Sequence, residues 1–255
     1  MDKLYSIIEY YNSIDPKLVK DNYFSDNFGD KFFDYKNSKL IGYIREDIER
    51  RKCNLTTKEY AILLASLIYS IDKIANTVGH FDAYIKKKIT YHPLSVQLIK
   101  PLAPKSVEIY KEDSNMLVEG ITADVAYIDP PYNSRQYSRF YHIYENLVEW
   151  KKPELFGVAM KPQAQNMSAY CTSRALDAFR DLIKKINVKY IAVSYNNTYT
   201  SKSSSSKNKI TLEQIKSILE EKGDTVVYDC AYRCFNTGKT EFVDHKELLF
   251  ITEVR

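Results

Sequence analysis

The sequence predicts an α/β protein in which a mainly parallel sheet follows an N-terminal helical region. Three observations carry this. The first ninety residues show helical periodicity and no strand pattern, a proline-containing connection covers residues 91–105, and from about residue 106 short β-rich runs alternate with helical ones. A length of 255 residues suffices for one large domain, or for one domain with a helical addition.

Each element follows from its own pattern. Leu4, Ile7, Ile8 and Tyr11 recur at helical spacing, as do Leu40, Ile41, Ile44 and Ile48 ahead of the basic end "ERRK". A third helix, "TTKEYAILLASLIYSIDKIANT", opens with Thr56 and Glu59 at capping-box spacing and aligns Tyr60, Leu64, Leu67, Ile71 and Ile74 on one face. Between the first two, "NYFSDNFGDKFFDYKN" is aromatic, polar and aperiodic, which reads as a loop. Pro93, Pro101 and Pro104 exclude a long helix in the connection.

In the second region "SVEIYKED" is expected to be a short strand and "DVAYIDPP" a buried one. Tyr137, Tyr141, Tyr144 and Val148 read as the apolar stripe of the helix that follows. After an irregular stretch over 151–171 come the helix "SRALDAFRDLIKKI", the strand "VKYIAVSYNN", the helix "TLEQIKSILEEKG" ending at Gly223, and the strand "DTVVYDCAYRCF". The final run, "ELLFITEV", is placed as a strand pairing with it, which adds antiparallel character late in the sheet. "TYTSKSSSSKNK" is low-complexity and basic, and reads as a mobile loop.

Composition limits the function less sharply. A hydrophobic fraction of 44% and a charged fraction of 27% are those of a globular protein. No apolar run reaches membrane-spanning length and the N-terminus lacks a signal-peptide pattern, so a cytoplasmic location and no membrane partner are expected. The net charge of +4 is compatible with a polyanionic partner without requiring one. Cys53, Cys171, Cys230 and Cys234 have no framework spacing and read as buried, reduced structural thiols. Cys230, Cys234 and His245 fall short of a zinc set, so no metal is expected.

The chemistry concentrates at "YIDPPYNSRQYSRFYHIYENLVEW", residues 127 to 150. Ligands of open α/β sheets bind at the carboxyl ends of strands, and Asp129 closes one. Pro130 and Pro131 then fix the backbone, so the aspartate and the Pro130 carbonyl face outward in a set geometry, with the flat ring of Tyr132 beside them. Two acceptors and an aromatic face suit an amino group on a planar ring. The alternative is a strand-ending turn whose aspartate caps the next helix.

"YIDPPY" resembles the catalytic motif of amino-group methyltransferases acting on nucleic-acid bases. The wider stretch is similar to the DNA adenine methylase family of restriction-modification systems. The similarity extends to "LLASLIYSIDKIANTVGHFDAYIKK" (63–87), "IYKEDSN" (109–115), "IAVSYNN" (191–197) and "KTEFVDHKELLFI" (239–251). It implies a partial Rossmann-like methyltransferase sheet, S-adenosylmethionine as cofactor, double-stranded DNA as substrate, and a catalytic set of Asp129, Pro130, Pro131 and Tyr132. It also implies that Asp113 and Ser114 help Asp129 to hold the cofactor, while Asp113 fits an N-cap equally well. Asn133, Arg135, Tyr137, Arg139, His80 and Lys86 are the candidates for DNA contact, against exposed helix-face or structural roles. An asparagine often stands at the Asp129 position in RNA and protein-glutamine methyltransferases, which favours adenine in DNA. Hydrolase chemistry is disfavoured because the chain has no Gly-x-Ser-x-Gly elbow.

The family normally opens with a glycine-rich loop that holds the methionine part of the cofactor. This chain has seven glycines, and the closest pair, Gly29 and Gly42, is thirteen positions apart (42 − 29). The expectation is that the first strands and helices of the methyltransferase sheet are missing and that a second chain supplies the loop. A decayed fragment and a non-catalytic specificity subunit are the alternatives. A missing part of the sheet further predicts an exposed apolar edge or face.

Overall fold

A computed structural model describes residues 2–102, 106–199, 206–231 and 245–255. The chain divides into two compact units, one formed by residues 1–106 and 137–165, the other by residues 107–136 and 166–255.

The helical unit contains α1 (Asp2–Ser13), α2 (Tyr23–Phe28), α3 (Tyr35–Arg51) and α4 (Thr57–Asp72). The Thr56–Glu59 capping box opens α4: the Glu59 amide donates to Thr56 Oγ1 at 3.2 Å and the Thr56 amide to Glu59 Oε2 at 2.8 Å. The expected loop over 22–37 instead contains α2, whose first turn is closed by a reciprocal box between Asn22 and Ser25. Its aromatics are the reason. Phe24, Phe28, Phe32 and Phe33 are wholly buried, and their rings pack on one another, Phe24 on Phe28 at 4.8 Å.

The described part of the proline-containing connection forms no helix, as expected, and side chains of the helices bind its backbone. Asn12 of α1 exchanges two hydrogen bonds with Val96, Asn37 of α3 binds the His92 carbonyl and the Leu94 amide, and Ser66 and Ser70 of α4 accept from Ile99 and Gln97. Asn37, Ser66 and Ser70 are buried polar side chains that stand in for a backbone ladder. Pro104 lies outside the described residues.

Residues 137–165 supply α6 (Tyr137–Phe140) and α7 (His142–Glu149), between α5 of the other unit (Ser114–Leu117) and α8 (Ala175–Lys185) in chain order. The expected stripe faces the core only at Tyr144, which is half-buried with its ring edge-on to Phe81 at 4.8 Å. Tyr137 is 60% exposed and Val148 46%, whereas His142, Ile143, Asn146 and Leu147 are buried. The helical pattern breaks at Tyr141, and the tyrosines stack in series, exposed Tyr137 on exposed Tyr141 at 6.1 Å and Tyr141 on Tyr144 at 6.2 Å. A tyrosine can keep its ring on a partner and its hydroxyl in water, so aromatic periodicity alone did not identify the buried face. Arg45 is also wholly buried here, donating to the Leu147 and Val148 carbonyls, Glu49 and Tyr60, with Trp150 at 5.1 Å.

The sheet unit carries β1 (Thr122–Ile128), β2 (Asn187–Asn196), β3 (Gly223–Ala231) and β4 (Lys246–Val254), with α9 (Leu212–Glu220) between β2 and β3. The order is β1-β2-β4-β3. β1 and β2 are parallel, and β4 lies antiparallel between β2 and β3, so the late antiparallel pairing is as the sequence implied. One face, with Ile191, Val193, Tyr195 and Phe250, is buried against Phe179, Leu182 and Ile183 of α8 and Ile215, Ile218 and Leu219 of α9. The register sets Val125, Tyr127, Tyr190, Val226 and Tyr228 on the opposite face, 42–65% exposed.

The expected strand at 106–113 does not form: residues 107–112 are irregular, with Val107 69% and Ile109 90% exposed. A β pattern yields a strand only with a ladder partner, and β1 pairs on one side alone among the described residues. Cys171 is buried as expected, but Cys53 and Cys230 are exposed, because each lies at an element's solvent side; Cys234 lies outside the described residues. Residues 200–205 of the basic low-complexity loop do so too. Among the described residues no helix is long and apolar enough to cross a membrane.

Candidate active site

β1 ends at Ile128, so Asp129 stands at the carboxyl end of a parallel strand beside the end of β2. Pro130 is buried and Asp129 exposed: the proline anchors the corner while the carboxylate reaches outward. Asp129 Oδ1 accepts the Tyr132 hydroxyl at 2.9 Å and Ser194 Oγ at 3.1 Å.

Tyr132 is held from three directions. Its carbonyl accepts the Lys209 amide at 2.8 Å and the Tyr195 hydroxyl at 3.1 Å, and its ring meets the Tyr195 ring edge-on at 4.7 Å. Burial, with the hydrogen bond to Asp129 adding to it, raises the Tyr132 hydroxyl well above the ordinary phenol range, so it stays a donor. Burial also pushes Tyr195 up to about 12. On β4, Glu247 pairs in register with Asn196, and burial raises its carboxyl, with the Asp129 charge contributing in the same direction.

The residues after the corner are fixed within the same unit. Asn133 Oδ1 accepts the Arg135 amide at 3.0 Å, and the Arg135 guanidinium donates to Ser206 at 2.8 Å. Buried Gln136 brackets Ser168, donating to its carbonyl at 3.0 Å and accepting its amide at 2.8 Å.

Asp113 caps α5, accepting the Asn115 amide at 2.8 Å, with Ser114 exposed next to it. Asn115 ties this turn to α8 through the Ala178 carbonyl and Asp181, each at 2.8 Å. The capping alternative for Asp113 is therefore present. Tyr137, Arg139, His80 and Lys86 belong to the helical unit. Lys86 is exposed, His80 stacks on Phe140 at 4.5 Å, and Arg139 donates to the Pro162 carbonyl. Of the proposed DNA contacts, Arg135 and Arg139 thus have a structural bond inside their own unit.

Sequence reasoning did not single out Ser194, Tyr195 or Glu247. A serine within the otherwise apolar "IAVSY", opposite the end of β1, is the signal that could have found Ser194.

Residues 1–218 match the family of D12 class N6 adenine-specific DNA methyltransferases. The modification methylase StsI of Streptococcus sanguinis is 41% identical over 168 residues, which is 63% of this chain and 26% of that protein. The type II methyltransferase M.FokI of Planomicrobium okeanokoites is 33% identical over 86% of this chain and 34% of its own length. The type II methyltransferase M.NlaIII of Neisseria lactamica is 31% identical over 85% of this chain and 64% of its own. Each of these matches spans less than two thirds of the relative. No solved structure matches significantly.

Proposed function

Because this chain belongs to the D12 class of N6 adenine-specific DNA methyltransferases, we propose that it carries the catalytic corner of an enzyme methylating the exocyclic amino group of adenine in double-stranded DNA. The observation that carries this reading is the strand-end carboxylate of Asp129, exposed yet held by Tyr132 and Ser194 beside a fixed proline. Adenine's amino nitrogen is a weak nucleophile because its lone pair is delocalised into the ring. Asp129 and the Pro130 carbonyl would each accept one of its hydrogens, which localises that pair on nitrogen. Positioning of this kind can supply much of the acceleration without a covalent intermediate. The base must leave the duplex first, at a cost of roughly a few kcal/mol, and stacking on Tyr132 would offset part of it.

S-adenosylmethionine, when bound, supplies a methyl group already activated on a sulfonium. Asp113, Ser114 and Asp129 are the residues that would hold it. They fit part of the group only: Asp113 spends one oxygen on its cap, and the seven glycines provide no glycine-rich loop. We assign that loop to a further polypeptide segment, the second chain of a split enzyme being the arrangement we favour. The outer edge of β1, unpaired among the described residues, and the exposed apolar face of its sheet support this, since both are surfaces that a strand and a helix would cover. We assign DNA contact to Asn133, Arg135, Tyr137, Arg139, His80 and Lys86, and a cytoplasmic location.

The test is transfer of labelled methyl groups to duplex DNA by the wild-type chain and by Asp129→Ala, with the loop-bearing chain present. The variant is expected to lose more than about a thousandfold in rate while keeping its circular dichroism. Turnover at the wild-type rate would remove Asp129 from the chemistry.

A further inference from the structure

We propose that Ser194 is a positioning residue for this site: with the Tyr132 hydroxyl it occupies Asp129 Oδ1, leaving Oδ2 as the oxygen that receives the adenine amino hydrogen. The inference rests on the methyltransferase reading of Asp129.

A carboxylate oxygen has about two acceptor positions. Oδ1 accepts two hydroxyl donors, at 2.9 and 3.1 Å, which fills it. The two donors come from different places. Tyr132 lies three residues along the chain, whereas Ser194 lies on β2, whose Val193 pairs with Ile128 at the end of β1. The carboxylate plane is thus held once by its own loop and once by the neighbouring strand. An aspartate's terminal torsion is otherwise broad, so an untethered Asp129 would sample many orientations of Oδ2.

The assignment also gives Tyr132 two tasks. Its hydroxyl orients Asp129, and that bond, with the edge contact to Tyr195, fixes the plane of the ring offered to the base. A ring free to turn would present a stacking face only part of the time.

Ser194→Ala and Ser194→Thr test the positioning role. In single-turnover methyl transfer, Ser194→Ala is expected to slow the chemical step roughly tenfold to a hundredfold, the scale of a misplaced reacting group. The KM for DNA should stay within about threefold, because the lost interaction acts on the reacting atoms and not on ground-state binding. Ser194→Thr, which keeps the hydroxyl, should recover most of the rate, and a merely structural role would not give that pattern. A rate for Ser194→Ala within about threefold of wild type would overturn the proposal. Crystal structures of wild type and Ser194→Ala give a second readout that needs no activity. The Asp129 carboxylate should rotate in the variant, and an unmoved carboxylate would also overturn the proposal. If the wild type transfers no methyl group, the functional reading fails, and the crystallographic comparison still decides whether Ser194 orients Asp129.

Discussion

The helical unit and the sheet unit bury their apolar residues to different degrees. In the first, five phenylalanines, a wholly buried arginine and a buried histidine pack into one interior. In the second, α8 and α9 cover one face of a four-stranded sheet while the other leaves Val125, Tyr127, Tyr190, Val226 and Tyr228 exposed. One unit is organised around an aromatic interior, and the other around a sheet that keeps one face exposed. Asp129 and Ser194 lie on the unit with the open face, so the candidate chemistry stands where the chain is least enclosed.

This contrast is tested first at the aromatic core. Phe28 is wholly buried, 4.8 Å from the Phe24 ring and 6.4 Å from that of Phe32. Phe28→Ala removes its contacts and leaves a cavity, so it should destabilise the helical unit by about 3–5 kcal/mol. The only tryptophan, Trp150, belongs to that unit, so urea unfolding followed by its fluorescence reads the effect there. A loss below about 1 kcal/mol would show that the aromatic cluster is loosely packed.

The two units were also unequally legible in the sequence, for the same physical reason. α1, α3 and α4 were read correctly because a helix satisfies its own backbone and displays its buried face as a period. α2 was missed although Phe24, Phe28 and Phe32 repeat every four residues, because Gly29 and the polar residues between them masked the period. The stripe assigned to Tyr137, Tyr141, Tyr144 and Val148 reached the core only at Tyr144, for the opposite reason: a genuine period marked a stack whose first two rings are exposed. Strands are settled by partners distant in the chain. "SVEIYKED" has the pattern and no ladder, and "ELLFITEV" found two. At the candidate site, the strand-ending corner from Asp129 to Tyr132 was legible because it is contiguous. Ser194 was not, since its bond to Asp129 spans 65 positions.

A second test of the helical unit is its response to acid. His142 is buried, with its ring nitrogens 3.1 Å from the Arg139 carbonyl and 2.9 Å from that of Ala159. Burial lowers its pKa to about 4, from an ordinary value of 6.5. Between those values the unfolded chain binds a proton that the folded chain does not, so stability rises with pH across this window and is lost as pH falls through it. At pH 5 the loss relative to pH 7 should be about 2 kcal/mol from this group. Denaturant unfolding at the two pH values, read at Trp150, should show it, and His142→Gln should make the two curves nearly coincide. An undiminished difference in that variant would assign the acid response to the carboxylates instead.

The smallest expected effect belongs to the open face. Tyr127 and Tyr228 are 65% and 59% exposed, on strands at opposite ends of the β1-β2-β4-β3 order. Tyr127→Ser and Tyr228→Ser should each change the stability of the chain by no more than about 0.5 kcal/mol, since little is lost when exposed rings are trimmed. Their effect should appear in association instead. Exposed apolar rings on a sheet face favour contact with another polypeptide, so the variants should show less self-association in sedimentation than wild type at the same concentration. A destabilisation near that of Phe28→Ala would mean that the rings are already packed in the isolated chain, and the difference between the two units would then disappear.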